Sequence, residues 1–352
     1  MTRTVAIAAV GARTPVGLHA EAAAAAVRSG AARLEEHPLL VDAVGAPLVG
    51  GWDGGLDPEW MGRRRMLALL TSVLNEIADK LLRRISLDRP VKVLLALPER
   101  RPGFTDQDAA WVLHGASAHA IADVPPLSVD EAPAGHAGPL AAIGAATEVI
   151  LRGQEPLVLI CGAESYAEPD TLRWLESERR VLRDGIRAGF PPGEGAGAVV
   201  LSNTELLHRM GEAPLARVLG AGQAIEPRPR DHALGMMGGG LGQALTAACG
   251  HLQLPEQAAG SILCDINGER WRAEDWAFAM LKDCRMVQDP TQYTSAVDCW
   301  GDQGAASGAL GCVLAAQAWQ RGYAEDPRAL VWGASDGGLR AAVVLEKGGN
   351  DG

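Results

Sequence analysis

Asp184-Gly-Ile-Arg-Ala-Gly-Phe-Pro-Pro-Gly-Glu-Gly-Ala-Gly197, continued by Ala198-Val-Val-Leu201, is the stretch on which the fold turns. Its Gly- and Pro-rich opening gives way to an apolar run, and Gly195–Ser202 reads as a buried strand. The same alternation recurs outward in both directions. Upstream, Val5–Val10, Val91–Leu97 and Leu157–Cys161 read as strands, and Arg63–Leu82 and Ala137–Leu151 as helices. Downstream, Ala216–Gly220, Ser261–Asp265, Ala329–Gly333 and Ala341–Glu346 read as strands. Helices are expected near Leu241–Leu252, over Trp271–Leu281 and over Gly304–Gly322. Parallel strands need crossovers of a dozen residues or more, usually helical, and this rhythm supplies them.

An α/β fold follows. Its helix-then-strand pattern over Ala137–Cys161 recurs over Gly304–Gly333, which points to a duplicated unit. The expected halves are residues 1–205 and 213–352, joined by the linker Asn203–Pro214. Gln223–Met237, rich in Pro, Arg and Met, reads as a surface loop.

Composition narrows the function. A net charge of −11 argues against a nucleic-acid groove or an anionic membrane surface. It also makes an acidic carrier protein a poorly matched partner, unless a local patch such as Arg63, Arg64 and Arg65 offsets it. That triplet reads first as a solvated helix face. The six cysteines show no CxxC spacing and no histidine at metal-ligand intervals, so neither a metal nor another cofactor is expected. No stretch approaches the ~20 apolar residues of a membrane span. The run Val5–Val10 is too short for a signal-peptide core. A cytoplasmic protein is expected.

Four segments in order resemble the β-ketoacyl synthases of the thiolase superfamily. Ala134-Gly-His-Ala-Gly-Pro-Leu-Ala-Ala-Ile-Gly-Ala-Ala146, with Leu157–Glu164, is similar to the nucleophile turn, its helix and the following strand. The opening stretch resembles the family's GF-x-x-GEGAG loop and is the most specific match. Asp265-Ile-Asn-Gly-Glu-Arg-Trp-Arg-Ala-Glu-Asp275 resembles the first histidine loop, and Cys299-Trp-Gly-Asp-Gln-Gly-Ala-Ala-Ser-Gly-Ala309 the second. Gly333-Ala-Ser-Asp-Gly-Gly-Leu-Arg340 stands at the Gly-rich C-terminal turn. The resemblance implies a thiolase-like fold of duplicated α/β halves in five layers (αβαβα).

It also implies where the chain departs. His136 stands at the nucleophilic cysteine, Asn267 at the first catalytic histidine and Asp302 at the second histidine, or at the asparagine of related members. Val297 stands about where the family has a lysine, and Asp336 where it has a gating aromatic; Phe190 is retained. Phe190 and Asp336 are therefore the ligand-pocket candidates. In the family the helix dipole lowers the thiol pKa and two histidines support decarboxylation. Here the same dipole is expected to keep His136 neutral near pH 7. Asn267 donates hydrogen bonds but shuttles no protons. Asp302 brings negative charge to the place where an enolate would form.

Three readings stay open. The first is a ketosynthase homologue without condensing activity, a structural or partner-binding subunit like the inactive half of heterodimeric synthases. It would pair with itself or with a ketosynthase-like subunit, with an acyl group or carrier protein as ligand. Leu157–Cys161 and the loop Val124–Pro133 are expected at the two-fold contact. The second is an acyltransferase or a thioesterase/esterase-type enzyme with His136 as base and Asp302 as its orienter. The third shifts the register and makes Cys161 or Cys299 the nucleophile. His136, Asn267 and Glu194 also have plain structural readings, as a helix-start residue, a turn residue and a loop residue.

Overall fold

The computed structural model describes residues 4–183, 185–230 and 232–349. Asp184, the first residue of the opening stretch, lies outside them. In chain order the first half contains β1 (Val5–Arg13), α1 (Ala20–Ser29), a hairpin of β2 (Glu35–Val41) and β3 (Pro47–Gly50), and α2 (Arg63–Lys80). β4 (Val91–Ala96), α3 (Asp106–Ser117), β5 (Leu127–Glu131), α4 (Gly138–Leu151), β6 (Leu157–Ser165), α5 (Pro169–Ser177) and β7 (Glu194–Asn203) complete it. The chain continues through α6 (Thr204–Met210), β8 (Ala216–Ile225), α7 (Gly239–Cys249), β9 (Ser261–Leu263) and α8 (Arg270–Lys282). It closes with α9 (Val297–Trp300), α10 (Ser307–Gln320), β10 (Arg328–Ala334) and β11 (Leu339–Lys347).

The strands hydrogen-bond in the order β5-β4-β6-β7-β1-β8-β11-β10-β9. β4 runs parallel to β5 and β6, and β7 antiparallel to β6 and β1. The second half repeats this: β10 is parallel to β9, and β11 antiparallel to β10 and β8. A parallel bridge from Leu263 to Thr294 stands where a counterpart of β5 would lie. With the hairpin set aside, the first half's third, second, fourth, fifth and first strands lie side by side in that order, and the second half matches it with the bridge at Thr294 in the third place. Same order and same directions are the mark of a duplicated unit. Among the described residues, the register pairs Ala6 with Arg217 and Ile7 with Ala216 join the two half-sheets.

Strand alternation sets the layers. On β6, Val158 and Ile160 pack with α4 and α10, whereas Leu157, Leu159 and Cys161 pack outward with α2. On β11, Val343 and Leu345 join the same central cluster, whereas Ala342 and Val344 pack outward with Leu241 and Trp276 of α7 and α8. The result is α2 and α3, a half-sheet, the central helices α4 and α10, a half-sheet, then α7 and α8. The five expected layers are present.

Several local expectations are corrected. The linker Asn203–Pro214 contains α6, because Asn203 Oδ1 caps it by accepting from Leu206 N at 2.7 Å and Gly211 ends it at φ +70°. The supposed loop Gln223–Met237 begins with the last residues of β8, which pair with β11. The loop Val124–Pro133 contains β5, an edge strand. Leu157–Cys161 is no two-fold contact: β6 is bonded on both edges, to β4 and β7, and buried on both faces. Arg63–Arg65 is not one solvated face, since Arg65 is buried and grips Glu194 through two bonds of 2.7 and 2.6 Å.

Candidate active site

His136 precedes the first turn of α4, Asn267 follows β9, and Asp302 lies between α9 and α10. Over a hundred residues separate His136 from the other two, yet all three meet. Asp302 Oδ1 and Oδ2 lie 3.0 and 3.1 Å from His136 Nε2, and Asn267 Nδ2 donates to Oδ2 at 2.6 Å. The three residues are 3–4% exposed. Tyr166 hydroxyl and Gly304 N–H also donate to Oδ1, at 3.1 and 2.8 Å, so the carboxylate is fully engaged. Asn267 Oδ1 accepts from Glu269 N at 3.0 Å and so also ties its own turn.

The Gly-rich opening stretch places Asp302. Pro191 O accepts from Asp302 N at 2.8 Å. A Cβ on Gly193 would come within 2.7 Å of the carbonyl oxygens of both Trp300 and Asp302. Glycine here permits the two loops to touch backbone to backbone. Glu194 points the other way: besides Arg65 it accepts from Asp53 N at 2.7 Å and Ser165 Oγ at 2.8 Å, locking the loop to α2 and β6.

Arginines complete the site. Arg272 of α8 is fully buried and donates to Asp265 Oδ2 and Ala334 O, both at 2.6 Å. Its Nη2 lies 3.3 Å from His136 Nδ1 and 3.2 Å from Nε2. Near-equal distances to both ring nitrogens put the guanidinium over the ring rather than in line with either lone pair. Arg180 bridges Glu269 and Asp336, each through a bond of 2.6 Å. Arg101 holds Glu164 at 2.6 Å and stacks on Tyr166 at 4.5 Å. Sequence reading found none of the three. Arg272 had one available signal, an acid three residues earlier on the same helical turn (Glu269), while Arg180 and Arg101 come from segments without a fixed spacing.

Charge decides the protonation states. Burial and Arg272 push the His136 pKa down, but the Asp302 carboxylate outweighs them and the net shift is upward. The expected direction is therefore corrected: a carboxylate in contact outweighs the dipole of a helix whose leading N–H, that of Ala137, already donates to Ser335 Oγ at 3.1 Å. Burial alone would raise Asp302; His136, Arg272 and Asn267 hold it well below the carboxylate range. The alternative nucleophiles are placed poorly. Cys161 faces the outer cluster on α2's side of the sheet, and burial pushes its thiol far up. Cys299, on α9, is likewise raised, first by burial and then by Asp298.

A cavity of about 250 Å³ reaches His136, walled by charged and polar groups including Glu99, Arg101, Glu164, Arg180 and Asp336. Asp336 is thus in the wall. Phe190 is not; it packs behind Tyr166, ring centroids 5.5 Å apart, and beneath Arg180. On the far side of Asp302 a pocket of only about 40 Å³ borders Asn267, Val297 and Trp300. Among the described residues, His19, Glu21 and Glu76 form a group with metal-ligand spacing, but Lys80 Nζ lies 2.7 Å from each carboxylate and supplies the cation there.

The fold is similar to those of solved ketosynthases. An oxazolomycin ketosynthase domain from Streptomyces albus matches with a TM-score of 0.74 at 16% identity, over 98% of this chain and 74% of that one. A type II polyketide synthase ketosynthase, solved with its acyl-carrier protein and bound to a hexaketide, matches at 0.75 and 15% identity, over 99% and 100%. The ishigamide ketosynthase/chain length factor matches at 0.67 and 22% identity, over 98% and 100%. No protein-family model matches the chain, and no curated protein matches it.

Proposed function

The chain has the thiolase-like fold of the ketosynthases, and from that premise we propose that it is a ketosynthase homologue without condensing activity, a structural or partner-binding subunit. The observation that carries this reading is the closed ion network at the old reaction centre. Where the resemblance puts a cysteine there is His136, bonded to Asp302 and covered by Arg272. A thioester needs a thiolate, and an enolate needs donors around it; here a buried carboxylate stands in the enolate's place. The cavity wall of paired arginines and acids is also a poor lining for an alkyl chain, which favours apolar walls. We read residues 1–205 and 213–352 as the two thiolase-like halves, and a dimer with itself or a ketosynthase-like chain as the working assembly. A carrier protein comparable to the one in the type II complex is the candidate further partner.

A hydrolytic reading draws on the 3.0 Å contact between His136 and Asp302, which resembles a base and its orienter. Against it, Asp302 takes Nε2 and the Arg272 guanidinium sits 3.2–3.3 Å from both ring nitrogens, a positive charge that opposes proton uptake by the ring. One experiment separates the readings. The purified chain is incubated with acyl- and malonyl-thioesters and analysed by mass spectrometry and thiol release. Neither a condensation product nor acylated protein is expected. Thiol release abolished by His136→Ala would favour the hydrolase, and an acyl group on Cys161 or Cys299 would overturn both.

A further inference from the structure

A third cavity lies at the far end of the central layer; it shares Leu263, Thr294 and Leu314 with the 40 Å³ pocket and no lining residue with the cavity at His136. α1, α10 and the open edge beside β9 enclose about 440 Å³, within the range of small-molecule pockets. Its α1–α10 side is apolar, and Ser261, Gln292 and Thr294 stand on the side of β9. Ala24 and Val27 of α1 face Leu314, Ala315, Ala318 and Trp319 of α10. Several of these belong to the central hydrophobic cluster, so the cavity is a gap in the core that opens to solvent.

The mouth has different chemistry. The Arg28 guanidinium stacks on the Tyr323 ring at 4.1 Å, and Arg321 stands on the same rim. Both arginines are exposed. Among the described residues no carboxylate pairs with either, whereas Arg13, Arg65, Arg101, Arg180, Arg272 and Arg340 each hold one. The acid on that rim, Glu21, is taken by Lys80 at 2.7 Å, so two guanidiniums not paired with a carboxylate beside an apolar wall are the complement of a molecule with an alkyl chain and one anionic end.

We propose that this cavity binds a medium-chain carboxylate, its alkyl chain between α1 and α10 and its carboxylate held at the rim by Arg28 and Arg321. The inference does not rest on the reading of the His136 site. Decanoate is the probe, 1-decanol the neutral control, and calorimetry with Trp319 fluorescence the readout. One decanoate per chain is expected, with decanol about tenfold weaker or worse. Each exposed ion pair is worth a few-fold, so Arg28→Ala with Arg321→Ala lowers decanoate affinity by about tenfold and leaves decanol unchanged. Added salt weakens decanoate alone. Ala318→Trp, half-buried in the cavity wall, abolishes both if its thermal transition is retained. Equal affinities for the two probes, or an arginine double variant that binds decanoate as before, overturn the assignment. So does a folded Ala318→Trp chain that still binds. Should that variant not fold, the arginine pair, which is on the surface, decides alone.

Discussion

His136 and Asp302 stabilise each other through opposite shifts, and this fixes a pH window. Asp302, held below its ordinary value of 3.8, contributes stability that is present above that value and is lost as pH falls through the folded-state pKa. His136, raised above 6.5, contributes stability that is complete below 6.5 and is lost as pH rises through its folded-state pKa. Both contributions coexist between the two ordinary values. Urea midpoints of the wild type and Asp302→Asn should therefore differ most near pH 5 to 6 and converge toward alkaline pH. A gap that widens from pH 6 to pH 9 would show that the pair is not charged as described. A second test concerns the Arg65–Glu194 pair, 2% and 0% exposed. Glu194→Ala leaves the buried Arg65 guanidinium with backbone carbonyls but no counter-charge and should cost about 3–5 kcal/mol in denaturant unfolding. A loss below ~1 kcal/mol would mean that the loop reorganises around Arg65. Legibility differed sharply among these residues. His136, Asn267 and Asp302 are assigned through the resemblance to the β-ketoacyl synthases, whose glycine-bearing motifs keep their register where the side chains change. Arg65 stood in a run of three arginines that reads as solvent-facing until the buried acid opposite it is known. Arg101, Arg180 and Arg272 reach the site from three separate segments, and only folding makes them neighbours.

Elements were legible in proportion to their apolar content. β1, β6, β7, β10 and β11 are runs buried on both faces and β4 on one, and the sequence reading places each to within a few residues. β5 was passed over, since Leu127-Ser-Val-Asp-Glu131 buries only its first residue, and the polar hairpin of β2 and β3 gave no strand signal either. α6 was hidden inside a presumed linker, although its cap was visible as Asn203 ahead of Thr204-Glu-Leu-Leu. That cap is testable. Asn203→Ala removes the acceptor for Leu206 N and should lower stability by ~1 kcal/mol, whereas Asn203→Asp should retain most of it. Equal melting temperatures for the Ala variant and the wild type would show that α6 is held by Leu207 in the core and not by its cap.

At the scale of the whole molecule, the β5 end of the nine-stranded sheet is the edge from which assembly is argued. β5 ends the nine-stranded sheet, bonded to β4 on one side only. An open edge offers a row of unpaired backbone groups, and proteins cover such edges or pair them. Along β5, Ser128, Asp130 and Glu131 are exposed and Val129 is partly buried, so charge guards one end and leaves the middle available. Pairing β5 with its own symmetry mate would extend the sheet across a two-fold axis, an isologous contact in which every residue serves twice. It would also relocate the expected seam. The part of the expectation that named Val124–Pro133 keeps a physical basis, while the part that named Leu157–Cys161 does not. A stable obligate interface buries more than ~2,000 Å², so the flanking loops must join the strand in the contact. Light scattering at micromolar concentration should therefore give twice the chain mass of 36.8 kDa. Val129→Pro, which removes a donor and bends the edge, should shift the species toward monomer while β4 and the core remain folded by circular dichroism. A wild-type monomer that recovers no partner from extract removes the main support for a subunit role. A dimer that Val129→Pro leaves intact moves the seam away from β5.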